Sequence, residues 1–209
     1  MAEGEPFEVD LTEGEDCIIL IITMGKLYDR IDDRLRAFAE RQHIFFVSTA
    51  PLAADGHINC SPKGHDTLRI IDPTTVAYLD YVGSGVETIA HLRENGRIVV
   101  MLCAFDGPPT IVRFHGSGRV VEPGDATFNE LLARFTPSSA VRSIIVVDVE
   151  RISDSCGYGV PLMRFEKERT QMTAWAERLG EEKLQEYKRR KNDQSIDGLP
   201  ALSPHGHDR

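Results

Sequence analysis

Asn59, Ser61 and Lys63 are the first residues in this sequence whose types and spacing could do chemistry. In a strand, alternate side chains share a face, so this segment sets an amide, a hydroxyl and an ammonium side by side. A face of that kind is a poor core and points to solvent or to a polar ligand. Arg69 adds a second cation. The stretch from Ser84 to Gly96, S-G-V-E-T-I-A-H-L-R-E-N-G, offers the other half of an anion site. Ser84 followed by Glu87 reads as a capping box at a helix start, and Asn95-Gly96 as its stop. Free amides, a hydroxyl and the positive end of the helix dipole converge there, as a phosphate requires. If the two halves are neighbours, Lys63 and Arg69 can meet the anion through short, charge-assisted hydrogen bonds.

Other chemistries find less support. His57, His65, His91 and His115 stand singly without a ligand spacing, and His205 and His207 lie on a polar tail, so no metal site is expected. There is no G-x-S-x-G elbow for a nucleophilic serine. Arg113 and His115 alternate on one strand and share a face, which lines either a cleft or an exposed edge. Cys156 and Tyr158 sit in a glycine-rich loop, S-D-S-C-G-Y-G-V-P. No residue declares itself a catalytic acid or base.

The chain has 209 residues, 41% hydrophobic and 27% charged, enough for one domain with appendages, or at most two small ones, and a real core. A net charge of −9 without a long basic block argues against nucleic acid or an anionic membrane as partner. The four cysteines, at 17, 60, 103 and 156, form no C-x-x-C, which fits reduced thiols better than a disulfide framework. Cys17 to Ile22 is too short to span a bilayer, and a cytoplasmic location is expected.

The elements that must position these groups follow from patterning. Residues 1–23, acidic and then apolar, read as a flexible arm. Leu27, Ile31, Leu35 and Phe38 give Lys26 to Gln42 one apolar side, hence an amphipathic helix. Strands are expected at Ile44–Thr49, His57–Gly64, Arg69–Ile71, Val76–Tyr81, Arg97–Ala104, Thr110–Val121 and Arg142–Ile152. Pro62 should end the second of these. Asp55-Gly56 signals a hairpin, and Gly116 and Gly118 suggest a bulge where backbones pass closely. Ala126–Phe135 reads as a short helix and Glu166–Lys191 as a long charged one. Short strands with helices at the margins describe a mainly β fold, a barrel or sandwich, not a βαβ array. A body at 24–165 with a helix and tail at 166–209 packed on it is the expected organisation.

N-C-S-P-K-G at 59–64, Y-L-D-Y-V-G-S-G-V-E-T at 78–88 and A-H-L-R-E-N-G-R-I at 90–98 together resemble the pyridoxamine 5′-phosphate oxidase-like superfamily, and within it the oxidase-related FMN-binding branch. C-A-F-D-G-P-P at 103–109, S-C-G-Y-G-V-P at 155–161 and S-I-D-G-L-P at 195–200 extend the likeness over about residues 24–200. The resemblance implies a six-stranded antiparallel split β-barrel, a homodimer, and FMN bound at the subunit interface. It assigns the phosphate to Ser61, Lys63, Ser84 and Thr88, with Asn59, Arg69 and Gly85 nearby, and sets Tyr81, Val82 and Gly83 along the flavin. Arg113, His115 and Tyr158 are candidates for substrate contact. Pyridoxamine phosphate oxidases themselves end in an R-L-x-P-type segment, whereas this chain has D-G-L-P-A-L-S-P, which points away from vitamin B6 as substrate. The implied activity is hydride transfer between a small organic molecule or NAD(P)H and FMN. The alternatives are an F420-dependent reductase and a non-catalytic module for flavin, F420 or haem.

Overall fold

A computed structural model describes residues 25–202; the expected arm at 1–23 and the histidines of the tail lie outside them. The strands are β1 (Leu27–Tyr28), β2 (Phe45–Thr49), β3 (Asn59–Lys63), β4 (Leu68–Asp72), β5 (Thr75–Tyr81), β6 (Arg97–Cys103), β7 (Ile111–Val121) and β8 (Val141–Ser155). The helices are α1 (Asp33–Glu40), α2 (Glu87–Asn95), α3 (Phe128–Leu132), α4 (Gln171–Leu179) and α5 (Glu181–Lys191).

One antiparallel sheet runs in the order β3-β2-β6-β7-β8-β5-β4, with β1 added to β8. The path does not close, yet it curls. Phe45 of β2 and Tyr78 of β5 stand four positions apart along the sheet, and their rings meet edge to face at 5.5 Å between centroids. Alternation explains the curl. The inward residues of β2, β4, β5, β6, β7 and β8 (Val47, Ile70, Val76, Val100, Phe114 and Val147 among them) join one buried cluster that α1 and α2 cover with Leu35, Phe38 and Ile89. This is a mainly β, split-barrel architecture. Among the described residues it has eight strands where the resemblance implies six and the patterning seven, the added one being the two-residue β1.

Three local expectations change. α1 is shorter than the amphipathic pattern, since Asp32 caps it through Leu35 N at 2.8 Å and Leu27–Tyr28 pairs with β8 instead. Pro62 does not end β3; it pairs opposite Phe46 at the sheet edge, where its missing N–H is tolerated. The helix expected over Glu166–Lys191 does not begin until Gln171. Met163 N donates to Phe105 O at 2.8 Å and Phe165 stacks on His43 at 3.7 Å, which ties the residues before it to the barrel. Gly180, at φ 77°, then divides the remaining helix into α4 and α5. These pack Ala176 and Leu184 on Val82 and Ala140 in a second small core.

The bulge at Gly116 is present, with the β7–β8 register shifting between His115 and Gly116. A Cβ there would lie 2.0 Å from the carbonyl oxygen of Asp148, a backbone atom in the middle of a paired strand. Gly116→Ala is therefore expected to destabilise the fold by about 2–3 kcal/mol, read as a lower urea midpoint with an unchanged slope. An unaltered midpoint would show that the strands can part freely at this point.

Candidate functional site

Asn59, Ser61 and Lys63 are half-buried on β3, while Cys60 and Pro62 between them are exposed. Their shared face forms one wall of a cleft of about 890 Å³. Tyr81, Gly83, Gly85 and Thr88, from the end of β5 and the start of α2, form a second wall, and the extended segment 163–169 a third. The two halves read separately in the sequence thus face one another.

A hydrogen-bonded string joins them. Asn59 Nδ2 donates to Thr88 Oγ1 at 3.0 Å and to Thr49 Oγ1 at 3.3 Å, and Asn59 Oδ1 accepts from Ser61 Oγ at 2.9 Å. Behind it, Thr49 Oγ1 lies 2.9 Å from Nδ1 of the fully buried His91. Burial lowers the pKa of His91, so the ring is neutral where it supports the string.

The strongest electrostatic feature of the cleft was not singled out from the sequence. Asp80 of β5 is wholly buried. Its Oδ2 receives Arg142 Nη2 at 2.7 Å and Nε at 2.8 Å, and its Oδ1 lies 3.3 Å from Lys63 Nζ. Burial pushes the Asp80 carboxyl up, but Arg142 and Lys63 together more than offset this and hold it below the usual carboxylate range. Two cations against one carboxylate leave a net positive charge at the cleft, which both Lys63 and Arg142 line. Arg142 Nη1 also donates to Gly85 O at 2.9 Å and so fixes the glycine turn.

The capping box is not formed. The N-cap of α2 is Val86, with no side-chain cap, and Ser84 is exposed and does not line the cleft. Val86 is 2% exposed and embedded in the main core, so tertiary packing, not the local Ser-x-x-Glu pattern, sets where the helix begins. Glu87 folds over Gly85, with Oε2 2.6 Å from where a Cβ would be. The C-terminal stop does match, Gly96 standing in the left-handed region at φ 73°.

The other candidates lie elsewhere. Val82 does not line the cleft; it is 1% exposed and packs under α4 and α5. Arg69 is engaged by Asp66 at 2.8 Å and by the carbonyl of Arg134, with its guanidinium over the ring of Phe135. Arg113 donates to Ser155 Oγ at 2.9 Å, His115 is exposed one register step away, and Tyr158 is exposed. None of these three borders the cleft. Among the described residues there is no cluster of three or more His, Cys, Asp or Glu placed to hold a metal ion, and no helix is long and apolar enough to cross a membrane.

Residues 31–156 match the family described as pyridoxamine 5′-phosphate oxidase. The pyridoxamine 5′-phosphate oxidase family protein ustO of Aspergillus flavus is 39% identical over 196 residues, spanning 86% of this chain and 78% of its own. Among solved structures, a putative pyridoxamine 5′-phosphate oxidase of Lactobacillus delbrueckii aligns at a TM-score of 0.48 and 15% identity, over 62% of this chain and 98% of that one. An FMN-binding protein of Syntrophomonas wolfei aligns at 0.44 and 19% identity, over 62% and 85%.

Proposed function

The chain belongs to the pyridoxamine 5′-phosphate oxidase family, and from that premise we propose that it binds FMN in the cleft between β3, α2 and segment 163–169 and acts as an oxidoreductase. Its partner in the reaction is a small organic substrate or a reduced nicotinamide. The observation that carries this reading is the Asp80–Arg142–Lys63 group beside a helix start without a side-chain cap. In a chain of net charge −9 it collects positive potential at one end of the cleft, where an anion gains most.

The residues present fit a phosphate-bearing planar cofactor. Lys63, Ser61, Thr88 and the first amides of α2 would hold the phosphate. Gly83 leaves open space, with nothing within 4 Å of a would-be Cβ, so the chain beside Tyr81 can lie close along a ring system. The cleft volume is in the range of small-molecule sites. When bound, the flavin supplies hydride acceptance and return; the chain's residues anchor, orient and exclude water.

The test is a titration of the cofactor-stripped protein with FMN, followed by flavin fluorescence and by thermal stabilisation. Saturable binding with a raised Tm supports the reading, and turnover of NADPH with an electron acceptor extends it to catalysis. A protein that neither binds nor is stabilised by FMN overturns it. Binding of F420 or haem instead would keep the anion site and replace the cofactor.

A homodimer with the cofactor at the subunit interface belongs to the same proposal. Leu162, Met163, Phe165 and Met172 stand 79%, 56%, 46% and 38% exposed around segment 163–172, an apolar border that a second copy would cover. Dilution below the dimer dissociation constant is then expected to release the flavin, measured by sedimentation with absorbance in the visible. A monomer that keeps its flavin would contradict the interface.

A further inference from the structure

The tail from Asn192 folds back on itself and docks. Ala201 N donates to Asp193 O at 2.8 Å, Leu202 N to Asn192 O at 3.0 Å, and Gly198, at φ 76°, turns the loop between them. Ala201 is wholly buried in the main core, with Leu199 and Leu202 packed against it. This small loop bonds to the turn before α2 on one side and to the residue two positions before β3 on the other. Asn192, also wholly buried, donates from Nδ2 to Gly83 O at 2.9 Å, in the turn that precedes α2. Asp197 receives His57 N on Oδ2 at 2.8 Å and His57 Nδ1 on Oδ1 at 2.6 Å, two residues before β3 begins.

We infer that residues 192–202 form a clasp that sets the separation of the glycine turn from β3, with Asn192 and Asp197 as positioning residues for the anion end of the cleft. This rests on the cofactor reading above. The clasp joins segments far apart in the chain, and the groups it aligns (Ser61, Lys63 and Thr88) must converge on one phosphate, so small changes in spacing cost affinity.

The clasp also responds to pH. The hydrogen bond and charge of Asp197 raise the pKa of His57, with Asp55 adding to this, and His57 in turn lowers the pKa of Asp197, with His91 adding a smaller effect. The charged pair therefore exists between the lowered value of Asp197 and the raised value of His57. It is lost on the alkaline side as pH rises through the latter, leaving the bond from His57 N.

Asp197→Ala, Asp197→Glu and Asn192→Ala test this through FMN titration and hydrogen exchange of residues 57–63 and 83–88 in the cofactor-free protein. Asp197→Ala is expected to weaken FMN binding by roughly tenfold, the weight of one or two lost hydrogen bonds, to speed exchange in both segments, and to abolish the alkaline weakening expected of the parent. Asp197→Glu should restore most of the affinity and the pH dependence. Unchanged affinity, pH profile and exchange in Asp197→Ala overturn the clasp, whatever becomes of the buried Asn192→Ala variant. If the parent itself binds no FMN, the cofactor reading fails, and exchange in the two segments still decides whether the tail couples them.

Discussion

Replacing Arg142 with methionine is expected to cost about 3–5 kcal/mol of folding free energy, the usual result of leaving a buried charge without its main partner. Arg142 is 4% exposed and makes two contacts to one oxygen of a carboxylate that has no access to water. Methionine fills similar volume, so the loss reports the charge more than a cavity. The pH dependence gives a sharper test, because the loss follows the ionisation of Asp80. With its pKa held below the unfolded value, Asp80 contributes stability that is present above the ordinary carboxylate range and is lost as pH falls through the lowered folded value. Burial is the largest single influence on this group and Arg142 the next. With Arg142 gone, the largest influence holding the carboxyl down is removed and the folded pKa rises. The stability that Asp80 contributes above the carboxylate range then shrinks, while at acid pH, where the group is protonated in both proteins, it is unchanged. Urea midpoints of parent and variant across acid and neutral pH should converge toward the acid end. Parallel profiles would mean that Asp80 does not govern this region. Asp80→Asn added to the methionine variant should recover part of the loss at neutral pH, since the buried group then carries no charge.

What was legible in the sequence and what was not divides along the range of the interactions. The polar face of β3 follows from three residues alternating over five positions, and β-branched runs marked the major strands, because both patterns are written locally. The C-terminal stop of α2 is equally local, a glycine in the one conformation it adopts cheaply. The start of α2 was misplaced because a residue outside the pattern, Val86, is drawn into the core. The long helix expected from Glu166 begins only at Gln171, its charged first residues suiting a helix while Phe165 just before them stacks on His43. Asp80 carries a local signal, a single charge in the otherwise uncharged β5, whereas Arg142 is one of several charges along β8. Their pairing, however, needs the β5–β8 register, which sets Asp80 opposite Ser143 with a shift at Tyr81. Arg69, by contrast, was grouped with Lys63 by proximity in sequence, and the turn at His65 and Asp66, both at positive φ, carries it to the other side of β4.

Lys63 is the residue for which fold and function separate most cleanly. Its ammonium reaches Asp80 at 3.3 Å, but Asp80 keeps both contacts from Arg142 when Lys63 is lost. Lys63→Ala should therefore cost stability only about 1 kcal/mol, as for a partly exposed pair. In the proposed flavoprotein the same ammonium faces the phosphate, where a charged hydrogen bond is worth about 1.5–3 kcal/mol, so FMN affinity should fall by roughly 10- to 150-fold. Removing Lys63 also returns the Asp80–Arg142 pair to neutrality, and the cleft loses its net positive charge along with a donor. The affinity of the variant should accordingly depend less on salt than that of the parent. Lys63→Arg keeps the charge and is expected to retain most of the binding. Titration of the three proteins with FMN at low and moderate ionic strength, beside their melting temperatures, makes the comparison. Full affinity in Lys63→Ala, or a loss of affinity matched by an equal loss of stability, would remove Lys63 from the phosphate site and leave it as a structural partner of Asp80.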